Sequence, residues 1–281
     1  MSPPIGAGGS STYLSQLLAL SGRSVAQLVR APSHSCRAEA ARRLAGHSLL
    51  LASTGASLVI LLMVTFDASE IALMPARGTP GLWPVRVLTD FGKDAYVLWT
   101  LAGAMVAIAL VAAGLHGTSR VILLGLGTRV QFLFLAVLVP VLTGNLLKLT
   151  LGRGRPLVGG NTDPFNFMPF AGSEAYYSLP SGHAVTAFAL AFAVGALWPR
   201  ARVAMFVYAV VIALTRLLLL AHHPSDVVAG ALVGLIGAMT VRYWFAARRL
   251  AFAIRRDGEI VALPGPGFDR LKRVAHGAPA P

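Results

Sequence analysis

Six apolar runs, each near the length a helix needs to cross a bilayer, leave this chain few folds to choose from. A helix spans the hydrocarbon core with about 20 residues, and in lipid only helices and closed barrels satisfy their own backbone. The runs lie near Leu49–Thr65, Ala95–Leu115, Val130–Leu147, Ala184–Trp198, Val203–Leu220 and Val227–Phe245, and the fourth is short. Leu, Ala and Gly dominate them, and the small residues allow close helix packing in lipid. Composition agrees: 56% of the 281 residues are hydrophobic and 12% are charged, against about 25% charged in soluble domains. The expected fold is an all-α membrane protein, six transmembrane helices forming one bundle over residues 47–247.

The net charge of +13 raises the possibility of a nucleic-acid partner, but its distribution argues for membrane topology instead. Six spans put both termini on one side. In that arrangement 17 of the 24 basic residues share that side, in the tails and in the second and fourth connections (Arg120 and Arg129; Arg200 and Arg202). The positive-inside rule makes it cytoplasmic. Contact with anionic membrane lipids is the partner expected of these cations. The expected site is a multi-pass protein of the inner (plasma) membrane with its active face toward the periplasm or exterior. No nucleic acid and no obligate protein partner is implied.

Residues 1–46 form a basic tail expected to be mobile or to lie on the membrane surface, and residues 248–281 a basic tail expected to be disordered. The stretch "YLSQLLALSG" is too short and interrupted for a cleavable signal. Cys36, the single cysteine, can form no internal disulfide.

Three polar clusters are expected at the outer ends of the helices. "KLTLGRGRP" (148–156) closes the third run, "PSGH" (180–183) opens the fourth, and "TRLLLLAHHPSD" (215–226) joins the fifth to the sixth. Ionisable residues at membrane depth are costly and therefore functional candidates. Lys148, Arg155 and Arg216 supply three cations, and guanidinium groups bind phosphate oxygens bidentately. Ser181 suits a helix N-cap and Gly182 lets a ligand approach the backbone. The helix start is then an anion site beside His183. Asp226, four residues beyond His222, is placed to hold one imidazole nitrogen and leave the other free to attack.

These segments resemble the three signatures of the type 2 phosphatidic acid phosphatase superfamily: Lys-x6-Arg-Pro, Pro-Ser-Gly-His, and Ser-Arg-x5-His-x3-Asp with Thr215 in place of Ser. The resemblance covers roughly residues 85–245. It implies a PAP2-type helical bundle and an integral-membrane lipid phosphatase that needs no cofactor and no metal. Carried onto this chain, it implies His222 as the nucleophile forming a phosphohistidine, Asp226 as its orienting carboxylate and His183 as general acid. Lys148, Arg155 and Arg216, with Ser181 and Gly182, would bind the phosphoryl oxygens. Fixed cations and a helix N-terminus can do the work of a metal ion elsewhere. The implied substrate is a lipid phosphomonoester or diphosphate of the phosphatidate, phosphatidylglycerol phosphate, undecaprenyl diphosphate or lipid A phosphate class.

Other readings compete. A zinc site of His183, His222, His223 and Asp226 has suitable ligands, but the surrounding cations would repel a metal. Ser181 beside a histidine hints at a serine hydrolase, which three cations do not suit. A phosphotransferase would share the same intermediate. A transporter or scaffold could bind anionic lipid with the same cations, yet it would need neither His183 nor the His222–Asp226 couple. His223 falls on no signature position and reads as structural. Arg153 reads as a phospholipid contact. Lys93, with Tyr96 and Trp99, reads as an interfacial anchor.

Overall fold

The computed structural model describes residues 13–160 and 162–265; residues 1–12, Asn161 and the end of the C-terminal tail lie outside it. The helices are α1 (Tyr13–Val29), α2 (Arg37–Thr65), α3 (Asp67–Leu73), α4 (Trp83–Asp90), α5 (Asp94–Gly114), α6 (Gly117–Leu151), α7 (Gly182–Leu197), α8 (Arg202–Leu218) and α9 (Pro224–Ala247). A short antiparallel hairpin, β1 (Phe252–Ile254) with β2 (Ile260–Ala262), follows α9. The described chain is predominantly helical.

Helix α7 is the hub. It packs on α6, α8 and α9, while α2 and α6 flank α9 and α5 lies against α6. Glycines set the closest approaches. A Cβ at Gly234 would fall 2.5 Å from the Val185 carbonyl oxygen, and one at Gly237 would fall 2.7 Å from the Pro140 side chain. Small residues on α9 thus let two neighbours come to backbone contact, where packing in lipid gains most.

Among the described residues, five helical stretches are long and apolar enough to cross a membrane: Arg37–Thr65, Pro80–Gly114, Gly117–Leu151, Pro199–Leu218 and Pro224–Ala247. Helix α7 corresponds to the fourth apolar run, but its 16 residues span only about 24 Å at 1.5 Å each. It sits inside the bundle with Ala184, Val185, Ala187, Ala189 and Ala193 fully buried. The expected count of six spans therefore depends on this one helix, whose length falls short of the bilayer core.

Several boundaries differ from expectation. Arg120 and Arg129 are not in a connection: α6 begins at Gly117. Arg129 is buried in that helix and donates to the Leu263 carbonyl at 3.0 Å. Helix α2 starts ten residues before the expected domain edge, and α1 places much of the described N-terminal tail in regular structure. Helix α1 is amphipathic: Leu14, Leu18, Val25 and Val29 are exposed on one face, while Gln131 of α6 donates to Ser24 at 3.0 Å.

The described part of the C-terminal tail is not disordered either. Phe252 packs edge-on against Phe132, with ring centroids 4.7 Å apart, and Phe132 meets Phe245 at 5.3 Å. The Ile254 amide donates to His34 at 3.1 Å. Composition pointed to disorder because Arg, Gly and Pro outweigh the few apolar residues. Burial of Phe252 and Ile254 beneath the bundle overrides that average.

Candidate active site

The start of α7 is shaped by α9. A Cβ at Gly230 would lie 2.5 Å from the Ser181 carbonyl oxygen, so only glycine lets the two backbones meet here. The contact allows the Ser181 amide to donate to the Asp226 carbonyl at 2.9 Å. Ser181 occupies the N-cap as its residue type predicts, yet its hydroxyl caps nothing and has no hydrogen-bond partner although buried. Gly182 serves a purpose beyond ligand access: a Cβ there would stand 2.8 Å from Lys148 Nζ. The missing side chain admits the α6 ammonium to the first residue of α7.

His222 lies in the turn between α8 and α9, where Leu220 adopts a left-handed φ of 48° and Pro224 opens the next helix. The imidazole is 3% exposed. Its Nδ1 lies 2.9 Å from the Ser178 carbonyl oxygen. A carbonyl can only accept, so Nδ1 carries the proton and Nε2 the lone pair. Asp226 does not hold the ring directly, contrary to the spacing argument. Its Oδ2 is 3.9 Å from Nδ1, beyond hydrogen-bond reach. Instead it accepts from the Ser178 hydroxyl at 2.6 Å and from the His223 amide at 2.9 Å. Sequence spacing alone put the two side chains within reach, but His222 sits in the turn before α9 and its ring points away from the carboxylate. Burial lowers the His222 pKa well below its ordinary value, helped by the charges of Arg216, Arg155, Lys148 and His183. Burial and these charges therefore favour the neutral ring, with its lone pair on Nε2.

The approach of Lys148 to Gly182, the Ser178 amide on the Arg153 carbonyl and the Ser178 and Ser181 contacts to His222 and Asp226 bring the three separated segments together. Arg216 is steadied by the Thr89 hydroxyl, 2.9 Å from Nη1, and the Thr215 hydroxyl lies 2.9 Å from the same oxygen. Arg155 pairs with the exposed Glu174 at 3.1 Å. Four buried polar atoms of these residues have no partner among the described residues: Ser181 Oγ, His183 Nε2, Arg155 Nε and Arg216 Nε. Buried polar groups are nearly always satisfied. Three are on residues assigned to phosphoryl-oxygen binding and one is on the expected general acid, as suits an anion with several acceptor oxygens. The site is mostly donors and cations, and among the described residues no His, Cys, Asp and Glu cluster has metal-ligand geometry.

Arg153 is not a phospholipid contact. It is fully buried beneath the site and every guanidinium nitrogen is engaged. Nη1 meets Asp226 at 2.6 Å and Ser225 at 2.6 Å, Nη2 meets Asp67 at 2.8 Å, and Nε donates to the Pro164 carbonyl at 2.9 Å. Asp67 of α3 also accepts the Ser225 amide at 3.1 Å. Burying one cation between two carboxylates with all hydrogen bonds made is the arrangement in which a buried ion pair is tolerable. Glu70 adjoins this lattice, 1% exposed, with neither carboxylate oxygen bonded. Burial, then the charges of Asp67 and Asp226, raise its pKa to about 7.

Asp67, Glu70, Thr89 and Ser178 escaped the sequence reading. The one available signal was acidity: the chain has only 11 acidic residues, and two of them stand directly after the first apolar run. Outside the site, Lys93 pairs with Asp90 at 2.8 Å and lies over the Tyr96 ring, while Tyr96 and Trp99 are exposed, as an interfacial anchor requires.

Comparison with known proteins decides the family. The PAP2 superfamily profile matches residues 129–250. The chain is 34% identical over 211 residues to the "Lipid A 1-phosphatase" of Rhizobium johnstonii, covering 71% of this chain and 82% of that protein. The chain belongs to the PAP2 superfamily. A second relative with the same name, from Rhizobium etli, is 33% identical over 207 residues, 71% of this chain and 86% of that protein. No solved structure matches. All three signature segments fall inside the matched region. As a PAP2 protein with these relatives, the chain is a membrane phosphatase, a hydrolase of phosphoric esters.

Proposed function

We propose that this PAP2 phosphatase removes phosphate from a lipid headgroup through a phosphohistidine on His222. The observation that carries the reading is the convergence of unsatisfied buried donors on one neutral imidazole whose Nδ1 is already committed to the Ser178 carbonyl. Nε2 of His222 attacks phosphorus, and the bond from phosphorus to the lipid oxygen breaks. His183, which takes up a proton from water as the anionic phosphate binds beside it, gives that proton to the departing oxygen. Lys148, Arg155 and Arg216, with the Ser181 hydroxyl and the Gly182 amide, take up the charge on the equatorial oxygens. Water then attacks the phosphohistidine, His183 accepts its proton, the P–N bond breaks, and inorganic phosphate and free His222 are restored. Asp226 acts through Ser178, fixing the tautomer that makes Nε2 the nucleophile.

A lipid substrate is favoured by an apolar groove of about 570 Å³ between α2, α6 and α9. It reaches Leu179 and Pro180, beside Ser178 and Ser181, so an acyl chain there would bring its headgroup to the cations. The relatives' name makes the 1-phosphate of lipid A the first substrate to test. The same reading places the catalytic domain over residues 47–247, with both termini cytoplasmic and the site on the opposite face. Purified protein is expected to release phosphate from lipid A ahead of phosphatidate, phosphatidylglycerol phosphate and undecaprenyl diphosphate. An acid-labile phosphoenzyme should accumulate on rapid quenching and vanish in His222→Ala. A phosphoenzyme that persists in that variant would remove His222 as nucleophile. If His183 is the acid, His183→Ala should lose roughly 10²–10⁴-fold on a lipid alkoxide and far less on p-nitrophenyl phosphate; equal losses on both would refute the role.

A further inference from the structure

At the end of α7 remote from His183, a second set of cations meets an apolar groove. Arg43 and His47 of α2, Arg202 of α8 and Arg242 of α9 line a cavity of about 150 Å³. Arg202 and Arg242 also line an adjoining groove of about 370 Å³, walled by Phe188, Phe192, Phe206 and Leu235. Arg242 stacks on Phe192, its guanidinium carbon 5.0 Å from the ring centroid, and its buried Nε has no hydrogen-bond partner. Arg202 uses only Nε, donating to the Gly195 carbonyl at 3.0 Å. Among the described residues Glu259 is the one acidic residue lining the cation cavity, and it is already paired with Arg255 at 2.7 Å.

A half-buried guanidinium with an unpaired Nε beside a second one calls for an acceptor with several oxygens. The groove that shares both arginines calls for hydrocarbon. One molecule has both parts in this order, an anionic phospholipid. We propose that Arg202 and Arg242 hold the phosphate of an anionic phospholipid whose acyl chain lies along Phe188, Phe192 and Phe206, in the leaflet opposite the catalytic site. The lipid would join α2, α8 and α9 where Arg43, Arg202 and Arg242 bring like charges to one cavity. It is bound and not turned over, because no histidine of this cluster has the fixed neighbours that His222 has.

The test uses the full chain in detergent, with bound lipid counted by native mass spectrometry. Phosphatidylglycerol should be retained and phosphatidylcholine should not. Arg202→Gln with Arg242→Gln should weaken phosphatidylglycerol roughly thirty-fold, the scale of two cations lost from an anionic-lipid contact. Arg23→Gln with Arg120→Gln, at a basic patch under α1, should leave it in place. Ala196→Trp, which fills the groove but keeps the arginines, should also lose the lipid, so the proposal does not depend on one variant folding. Undiminished retention after the Arg202 and Arg242 changes, or equal loss in the α1 variant, would overturn the site. Full displacement by inorganic phosphate would show a bare anion site and overturn the acyl assignment.

Discussion

Arg153 and Arg155 stand two residues apart in one loop and have opposite surroundings. Every nitrogen of Arg153 is bonded within a lattice of Asp67, Ser225, Asp226 and Pro164, sealed from solvent. Arg155 faces the other way, holds one exposed carboxylate and keeps a buried Nε free. The lattice below is saturated and the ring of cations above is not. Saturated polar groups hold a geometry, whereas unsaturated ones wait for a partner, and in this molecule the two sets meet at His222 and Asp226. The comparison also shows why neighbouring arginines of one signature cannot be assigned a common role from charge alone.

The largest effect should appear where the two sets meet. His222→Ala is expected to cut turnover by at least about 10⁴-fold, as loss of a nucleophile does, while circular dichroism and melting temperature stay close to the parent. Turnover within tenfold of the parent would dissolve the distinction between holding and reacting groups. The next test separates the arginines. Arg153→Met leaves two buried carboxylates unpaired and should destabilise the fold by about 3–5 kcal/mol, read as a fall in melting temperature with loss of expression. Arg155→Gln should leave melting nearly unchanged but lower kcat about 10²–10³-fold, the scale of one lost transition-state donor. If the two variants behave alike, the lattice and the ring are one functional unit.

A smaller effect concerns pH. Because burial and the cation ring depress the His222 pKa, the ring stays neutral below the ordinary imidazole value of about 6.5. The acid limb of kcat/KM should therefore fall below that pH and move upward in Arg155→Gln, where one opposing charge is gone. A limb at the ordinary value in both proteins would contradict the electrostatic description. The smallest expected effect belongs to Glu70. Its carboxyl, with a pKa raised to about 7 in the folded chain, binds a proton that the unfolded chain has released above its own, lower pKa. Its contribution to stability is present at low pH and declines as pH rises toward 7. Glu70→Gln should flatten the melting temperature over that window and raise it at pH 8. An unchanged slope would mean the lattice tolerates the ionised side chain.

Much of the fold was legible in the order of residues because it depends on short-range pattern. Apolar runs of helical length, glycines on α9 and the polar segments that interrupt them are local features, and each maps onto a helix or helix end. The N-cap position of Ser181 and the first-turn Pro224 were readable for the same reason. The convergence of Lys148, Arg155, His183, Arg216 and His222 was also readable, because alternating helix directions return the chain to the same face of the bundle. The described part of the C-terminal tail was misread, since the burial of Phe252 against Phe132 joins positions far apart in the chain.

Sequence by itself therefore determined the class of fold, the family and which residue types could meet a phosphate. Tertiary structure alone decided how they are held. Arg153 and Asp67 are separated by 86 positions, and nothing local to either indicates the other. Asp226 reaches His222 through the hydroxyl and carbonyl of Ser178 because the turn before α9 swings the ring away from the carboxylate. Periodicity reports which face of a helix is apolar. It is blind to which single atoms come within 3 Å once several helices have packed, and hydrogen-bond chemistry depends on that distance.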